Sequence, residues 1–469
     1  MNILFAASEA QPYVASGGLA DVIGSLPKAF NRKGSDCRVV IPLYKSISEK
    51  FKDKISFVTN ITVDVSWRKQ YCGIFTAEND GVTYYFIDNE YYFCRDGIYG
   101  FYDDCERFVF FSRAVLEMLR YIDFKPDIIN SHDWHTAMIP VFYEIFYKYQ
   151  QDYTDIKNVF TIHNIEYQGK YGKEVVSEIM GIPMYHFSLL EYDGFVNLMK
   201  GAIETADKIV TVSPSYAWEI LDPWYSCGLD RILVHKQKKI VGILNGIDSD
   251  LWNPLNDPSI AESYSYVNIS GKKSCREALV SELELDDNEK PIVGIVTRFV
   301  SHKGIDLIKY SLEELVSDGF EFAVLGSGEK IYEDFFREMA KRYKGKVFVK
   351  TAFDPLLARK IYAGADMFLM PSQSEPCGLA QMFAMRYGTI PIVRETGGLR
   401  DTVRDNGNND GNGFTFKAYN ALDMIDAMHR AMKAFDDKDL WTSLVKRAMK
   451  YDFSWDASAE IYLNLYEKL

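Results

Sequence analysis

The chain has 469 residues, and at about 100–200 residues per domain this length indicates two large domains or three small ones. With 47% hydrophobic and 25% charged residues, the composition is that of a globular protein that can bury a sizeable core. The formal net charge of −13 argues against nucleic acid and anionic membrane surfaces as main partners, but a local basic pocket could still hold a small anion.

The N-terminus and the cysteines predict a cytoplasmic protein. Residues Met1–Ala7 lack a basic segment and form too short an apolar run for a signal peptide. No stretch approaches the roughly 18–20 apolar residues of a membrane span. The cysteines are scattered and form no CxxC pair, which favours free thiols in a reducing compartment over disulfides or a zinc site.

In the first half of the chain, short apolar runs alternate with longer amphipathic segments. The apolar runs predict strands over Ile3–Ala7, Cys37–Pro42, Tyr84–Ile87, Ile128–Asn130, Val159–Ile162 and Lys208–Val212. The amphipathic segments predict helices over Asp21–Arg32, Glu106–Tyr121 and Thr136–Tyr149. This alternation predicts a parallel, doubly wound sheet.

A second series of the same kind begins near Ile292. Its predicted strands are Ile292–Thr297, Glu321–Leu325, Lys346–Lys350, Met367–Met370 and Ile390–Val393. The stretch Asn253–Ser270 has no clear period and is rich in Pro, Asn, Ser and Asp, so it is predicted to link the two series. Two such α/β domains would bind ligands at the carboxyl ends of their strands, in a cleft where those ends face each other.

Two segments of the second series carry charged residues directly after predicted strands. Glu375 follows Met367–Met370, where a carboxylate can accept hydrogen bonds from sugar hydroxyls and stabilise positive charge at an anomeric carbon. Arg298 and Lys303 follow Ile292–Thr297 and could neutralise a leaving nucleoside diphosphate without a metal. The alternatives are a helix cap for Glu375 and solvated surface charges for the two cations.

Two Gly-Gly turns, within Ser16–Asp21 and Thr396–Asp401, each open a predicted helix. Glycines let the backbone approach a ligand, and free N–H groups at a helix start favour anions, but a single such turn is often only a tight connection. Neither turn matches GxGxxG, which disfavours a nicotinamide-dependent oxidoreductase.

Histidines cluster at the ends of two predicted strands, in Ser131–His135 and in Thr161–Asn164. Polar groups at strand ends suit recognition of sugar hydroxyls, and Trp134 offers an apolar surface to a sugar ring. His132 and His135 could ligate a metal, but no third ligand at suitable spacing is apparent, so no metal is expected.

Taken together and in order, these motifs resemble those of bacterial glycogen synthases and plant starch synthases. The matching segments are Ser8-Glu9, Gly17–Val22, His132–His135, Thr161–Asn164, Val212–Pro214, Leu244–Asp248, Arg298–Gly304, Pro371–Leu379, Arg386–Pro391 and Thr396–Thr402. They extend over nearly the whole chain, which makes the ordered set far more specific than any one motif.

The resemblance implies an α/β fold of the GT-B class, with two Rossmann-like doubly wound parallel-sheet domains facing across a cleft. The N-terminal, acceptor-side domain would comprise residues 1–250, with a C-terminal helix at about 453–469 packing back onto it. Residues 251–452 would bind the nucleotide sugar. The implied reaction is a retaining transfer of glucose from ADP-glucose to the nonreducing 4-OH of an α-1,4-glucan, with no metal or other cofactor; the oligomeric state stays open.

The family's site residues carry over to matching positions. The implied catalytic residues are Arg298 and Lys303, which hold the diphosphate, and Glu375 and His163, which contact the donor sugar. The implied donor-binding residues are Ser16, Gly18, Asp21, Asn245, Cys377, Gly378, Leu379, Thr396, Gly397 and Gly398. The implied acceptor-binding residues are Glu9, Asp133, His135 and Asn164.

The sequence departs from the family pattern at three positions. Ala15 stands where the family usually has a phosphate-binding Lys, which puts donor affinity and nucleotide choice in doubt. Phe383 replaces a second Glu of the wider superfamily, and Phe353 replaces a usual Tyr near the nucleotide. A UDP-glucose-using glucosyltransferase and a weakly catalytic glucan-binding paralogue therefore stay open as alternatives.

Overall fold

The computed structural model describes residues 1–286, 289–407 and 410–469. The chain divides into two compact units. Unit 1 comprises Met1–Gly246 and Trp455–Leu469, and unit 2 comprises Ile247–Ser454. Every helix in the described part of the chain is too short or too polar to span a bilayer.

Unit 1 is built on a large mixed sheet and a small antiparallel one. Its strands are β1 (Asn2–Ala6), β2 (Asp36–Pro42), β3 (Ser56–Val65), β4 (Arg68–Asn79), β5 (Val82–Asp88), β6 (Ile128–His132), β7 (Lys157–Ile162), β8 (Lys170–Tyr171), β9 (Glu191–Tyr192), β10 (Phe195–Asn197), β11 (Lys208–Thr211) and β12 (Ile240–Gly242). The large sheet has the order β12-β11-β7-β6-β1-β2-β5-β4-β3, and the small one β8-β10-β9. The pairs from β12 to β5 are parallel, as predicted, and those of β3, β4 and β5 are antiparallel.

The antiparallel extension of this sheet was not predicted. A two-residue loop, Asp80-Gly81, joins β4 to β5, and both residues have positive φ (52° and 74°). An Asp-Gly pair with positive φ at both positions is typical of the turns that close β-hairpins. The sheet is therefore parallel at its centre and ends in an antiparallel hairpin at one edge.

The helices of unit 1 include one from the C-terminus of the chain. They are α1 (Gly18–Arg32), α2 (Lys45–Phe51), α3 (Glu90–Phe93), α4 (Asp104–Met118), α5 (Met138–Phe142), α6 (Leu198–Thr205), α7 (Pro214–Glu219), α8 (Asp230–His235) and, after unit 2, α17 (Trp455–Tyr466). Phe30 of α1 contacts the rings of Tyr462 and Tyr466, and Asn130 donates to the Tyr466 hydroxyl at 2.8 Å. These buried contacts anchor α17 on unit 1.

Unit 2 is a parallel α/β sheet. Its strands are β13 (Ile292–Val296), β14 (Glu321–Gly326), β15 (Val347–Thr351), β16 (Met367–Met370), β17 (Ile390–Arg394) and β18 (Phe414–Phe416), in the order β15-β14-β13-β16-β17-β18. Its helices are α9 (Ser270–Leu283), α10 (Ile305–Ser317), α11 (Lys330–Arg342), α12 (Pro355–Gly364), α13 (Ala380–Arg386), α14 (Gly397–Thr402), α15 (Ala421–Asp436) and α16 (Lys438–Met449). All the strand pairs are parallel, so their carboxyl ends lie at one edge.

The segment Asn253–Ser270, predicted as a linker, is packed into unit 2. The carboxylate of Asp257 is buried and accepts hydrogen bonds from Arg359 and Tyr387. The buried Tyr264 hydroxyl donates to the backbone carbonyl of Tyr387 at 2.8 Å. The segment lacks periodicity because side-chain hydrogen bonds, rather than a helix or strand, fix its path.

Candidate active site

In unit 2, three neighbouring strands deliver the predicted donor-site residues to one edge of the sheet. The strands β13, β16 and β17 are adjacent and parallel. The loop after β13 carries Arg298 and Lys303, the loop after β16 carries Glu375, and the loop after β17 carries Thr396. Ligands of open α/β sheets bind at these strand ends.

Lys303 and Glu375 form a largely buried ion pair. The Lys303 Nζ lies 2.6 Å from Glu375 Oε2, and the Ser372 hydroxyl donates to the same oxygen at 3.0 Å. Only 7% of Glu375 is exposed. The backbone N–H of Gln373 also donates to the His302 carbonyl at 2.8 Å, which ties the two loops together. The ion pair with Lys303 and the hydrogen bond from Ser372 thus fix the orientation of the Glu375 carboxylate, and the Gln373–His302 bond holds the two loops together.

The second Gly-Gly turn packs directly against the Glu375 loop. The Gly398 N–H donates to the Glu375 carbonyl at 3.1 Å. A Cβ on Gly397 would lie 2.0 Å from that same carbonyl oxygen, and one on Gly398 would lie 2.1 Å from the Cys377 carbonyl oxygen. Thr396 and Cys377 are buried beside this contact. Only glycine fits at the two positions, so the turn is part of the support for Glu375.

Arg298 behaves differently from Lys303. Arg298 is exposed, and its guanidinium makes no hydrogen bond or ion pair with the residues that the structure describes. The structure therefore joins Lys303, Glu375 and the Gly397-Gly398 turn by direct contacts, while Arg298 leaves its donors available to an anion. Gly378, with φ of 71°, and the half-buried Leu379 continue the Glu375 loop into α13.

In unit 1, the adjacent strands β6 and β7 bring Asp133 and His163 together. The Asp133 Oδ1 accepts the His163 backbone N–H at 2.8 Å, and the Asp133 N–H donates to the Thr161 carbonyl at 2.9 Å. Asp133 has a φ of 57°, which costs conformational energy in a residue with a side chain. Burial, assisted by the negative charge of Glu9, raises the pKa of Asp133 to about 7.

The imidazole rings of His132 and His163 are hydrogen-bonded to each other. The His132 Nδ1 lies 2.9 Å from the His163 Nε2. Burial lowers the pKa of His163 to about 3 and that of His132 well below its usual value. Both rings are therefore uncharged near neutral pH and act as hydrogen-bonding groups rather than cations.

His135, a predicted acceptor-binding residue, lies in an aromatic cluster. Its ring stacks on Tyr99 at a centroid distance of 4.6 Å and lies 4.2 Å from the ring of Trp134. It is 8% exposed, and burial lowers its pKa to about 3. These surroundings are those of a core side chain, and they argue against direct contact between His135 and a glucan.

The remaining predicted residues of unit 1 lie around the first Gly-Gly turn and at two strand ends. The buried Glu9 accepts a hydrogen bond from the Ser16 backbone N–H, and burial raises the pKa of its carboxyl. Ser16, Gly18 and Asp21 are exposed. Asn164 is half-buried, and its Oδ1 accepts the Glu166 N–H at 3.0 Å. Asn245 is buried, and its Oδ1 has no partner in the described ranges of the chain.

Sequence reasoning missed two residues that touch predicted site groups. Ser372 holds Glu375, and its signal was its position two residues after β16. His132 was not among the predicted site residues, whereas the structure shows that its ring contacts His163. Among residues 1–286, 289–407 and 410–469, no group of His, Cys, Asp and Glu side chains is arranged to hold a metal ion.

The structure also shows what surrounds the three positions that depart from the family pattern. Phe383 stacks on Trp252, with ring centroids 3.8 Å apart. Ala15 is exposed, and 91% of Phe353 is exposed. An aromatic stack therefore stands at the position of the second Glu, whereas the other two replacements are at exposed positions.

Comparison with known proteins gives full-length matches. Residues 2–235 match the family described as starch synthase catalytic domain, and residues 281–448 match glycosyl transferases group 1. A glycogen synthase of Clostridium botulinum is 49% identical over 475 residues, covering 100% of this chain and 99% of that protein. A glycogen synthase of Anoxybacillus flavithermus is 46% identical over 474 residues, covering 100% and 98%.

Solved structures give the same result for the fold. The catalytic domain of starch synthase IV from Arabidopsis thaliana, bound to ADP and acarbose, superimposes with a TM-score of 0.89. It is 34% identical, and the match covers 100% of this chain and 98% of that one. The predicted GT-B fold class is therefore confirmed, with the antiparallel hairpin of β3 and β4 as an addition.

Proposed function

Because the chain belongs to the glycogen synthase and starch synthase family of glycosyltransferases, we propose that it transfers glucose from ADP-glucose to the nonreducing 4-OH end of an α-1,4-glucan. The Arabidopsis relative was solved with ADP and acarbose bound, which supports a nucleotide and a glucan as the ligand classes here. The cysteines of the described chain are free thiols, which supports a cytoplasmic location.

The observation that carries the proposal is the ion pair of Lys303 with Glu375, together with an Arg298 guanidinium that has no partner among the described residues. In the proposed reaction, Arg298 binds the diphosphate of the donor as a fork, and Lys303 adds a second positive charge. Glu375 contacts the donor sugar, where a carboxylate stabilises positive charge that develops at the anomeric carbon. When the bond between sugar and diphosphate breaks, the negative charge on the diphosphate and the positive charge on the sugar are then both compensated by these side chains.

The residues of unit 1 suit the recognition of an uncharged sugar. His163 carries no charge near neutral pH and offers a hydrogen bond to a sugar hydroxyl. Asp133 holds the backbone of His163 in place through its N–H. We assign Glu9, Asp133 and Asn164 to the acceptor side, and Ser16, Gly18, Asp21 and Asn245 to the donor.

We propose a retaining reaction without a covalent intermediate. A double displacement needs a pair of carboxylates at about 5 Å across the sugar. Glu375 is instead bonded to Lys303 and Ser372, which lowers its nucleophilicity. The leaving diphosphate would assist attack from the same face of the ring, and the two cations would take the place of a metal ion.

A transfer assay on glycogen tests the proposal. We expect incorporation of glucose from ADP-glucose, slower incorporation from UDP-glucose, unchanged rates with EDTA, and an α-anomeric product by NMR. Faster transfer from UDP-glucose would favour the UDP-glucose-using alternative. That alternative was left open because Ala15 replaces the usual phosphate-binding Lys. Binding of glycogen without release of ADP from ADP-glucose would support a glucan-binding paralogue and contradict the proposed activity.

A further inference from the structure

The two hydrogen-bonded imidazoles of unit 1 differ in burial. His132 is 0% exposed and lies against the ring of Phe5, with centroids 4.7 Å apart, whereas His163 is half-buried. Within the described part of the chain, the His132 ring makes one hydrogen bond, which joins its Nδ1 to the His163 Nε2. The other nitrogen of His132, Nε2, is buried without a partner among the described residues.

This arrangement determines which nitrogens carry protons. Each ring is neutral and holds one N–H, and one of the two facing nitrogens must donate while the other accepts. If His163 donated from Nε2, the proton of His132 would sit on its own Nε2, as a buried donor with no acceptor. Buried N–H groups without an acceptor are rarer in proteins than buried acceptors without a donor. The proton of His132 therefore belongs on Nδ1.

We propose that His132 is a positioning residue that fixes the tautomer of His163. The His132 Nδ1–H donates to the His163 Nε2, so the proton of His163 must reside on Nδ1. His163 then presents an N–H donor, rather than a bare lone pair, on the side of its ring that makes no hydrogen bond with the described residues. The use of this donor toward a sugar hydroxyl oxygen rests on the proposed function.

The position of the proton on His163 decides which hydrogen bond the ring can make with a substrate. With its proton on Nδ1, His163 can donate to a hydroxyl oxygen at that edge; with its proton on Nε2, it could only accept there. A ring free to exchange between the two tautomers would spend part of its time in the wrong one. A fixed tautomer therefore pre-organises the contact.

Nitrogen NMR of the full chain, labelled with ¹⁵N-histidine, tests the tautomer directly. The chain has only seven histidines, and a His163→Gln sample assigns the signals. We expect a protonated Nδ1 and an unprotonated Nε2 for His163 at pH 7, and the same pattern for His132. A proton on the His163 Nε2 would overturn the inference, whether or not the protein transfers glucose.

Two substitutions of His132 test the consequence for activity. In His132→Asn, the side-chain amide nitrogen takes the place of Nδ1 and keeps a donor, whereas His132→Leu removes it. We expect about a tenfold lower kcat for the Leu variant, with kcat of the Asn variant within about threefold of the wild type. Equal losses in both variants would refute the positioning role. A wild-type protein without transfer activity would refute the proposed function alone, because the NMR result stands independently.

Discussion

The two Gly-Gly turns have nearly the same local sequence but opposite surroundings. A Cβ on Gly17 would meet no atom within 4 Å, whereas one on Gly397 or Gly398 would lie 2.0 or 2.1 Å from a backbone carbonyl oxygen. Gly17 is exposed, and Gly397 and Gly398 are buried. The second turn therefore needs glycine for packing, while the first leaves open space above its backbone. One sequence signal thus has two physical causes.

The two units also differ in how each holds a carboxylate of the candidate site. Glu375, against which the second turn packs, is paired with the cation of Lys303. The Asp133 carboxylate, in unit 1, accepts hydrogen bonds only from backbone N–H groups of the residues that the structure describes, and burial raises its pKa to about 7. Unit 2 thus presents a charged pair, whereas unit 1 presents groups close to neutrality, which suit sugar hydroxyls.

The largest effect is expected at the second turn. Gly398→Ala places a methyl group against the Cys377 carbonyl oxygen, so the Glu375 loop must shift. We expect the free energy of unfolding to fall by about 3 kcal/mol or more, together with loss of transfer activity. Thermal unfolding and the glycogen assay measure both. A variant with wild-type melting temperature would show that packing does not require this glycine.

Removal of the cation beside Glu375 tests whether the contacts around this carboxylate are needed for catalysis. Lys303→Ala should lower kcat by about 10²-fold, as expected when one pre-organised electrostatic contact is lost, and the fold should persist. Lys360→Ala is the control, because Lys360 forms an exposed ion pair with Glu282 elsewhere in unit 2. Equal kcat values in the two variants would contradict a catalytic role for Lys303.

Much of this arrangement could be predicted from the sequence. Short apolar runs located the central parallel strands, and polar residues after them located Glu375 and His163 because parallel strands end at one edge. The antiparallel pairing of β4 with β5 was missed, although the Asp80-Gly81 turn that joins these two strands is visible in the sequence. A two-residue turn is a local signal, so this part was accessible to sequence reasoning.

The contacts that the site residues make could not be predicted from the sequence. Lys303 and Glu375 lie 72 residues apart, and His132 and His163 lie 31 apart, so only the tertiary fold brings them together. The motif containing His135 gave no sign that its ring would stack on Tyr99, which comes from a distant loop. Burial of a polar side chain depends on neighbours that a local motif does not contain.

The contrast between the two carboxylates predicts a pH effect at Asp133. Its pKa is about 7 in the folded protein and about 3.8 when unfolded, so between these values the unfolded chain loses the proton first. Stability is therefore lost as the pH rises through this window. Asp133→Asn should melt at least about 2 °C higher than the wild type at pH 8, with no difference near pH 4. A gap that does not change with pH would contradict the raised pKa.

The smallest effect is expected at the first turn. Gly17→Ala keeps an extended backbone (φ −168°) that any residue adopts, and its methyl group meets no protein atom. Its free energy of unfolding should change by less than about 0.5 kcal/mol, in contrast to Gly398→Ala. If the open space admits the donor, the methyl group occupies part of it, and the KM for ADP-glucose should rise about threefold with little change in kcat. An unchanged KM would show that this turn connects two parts of the chain without binding the donor. A melting temperature as low as that of Gly398→Ala would contradict the difference in packing between the two turns.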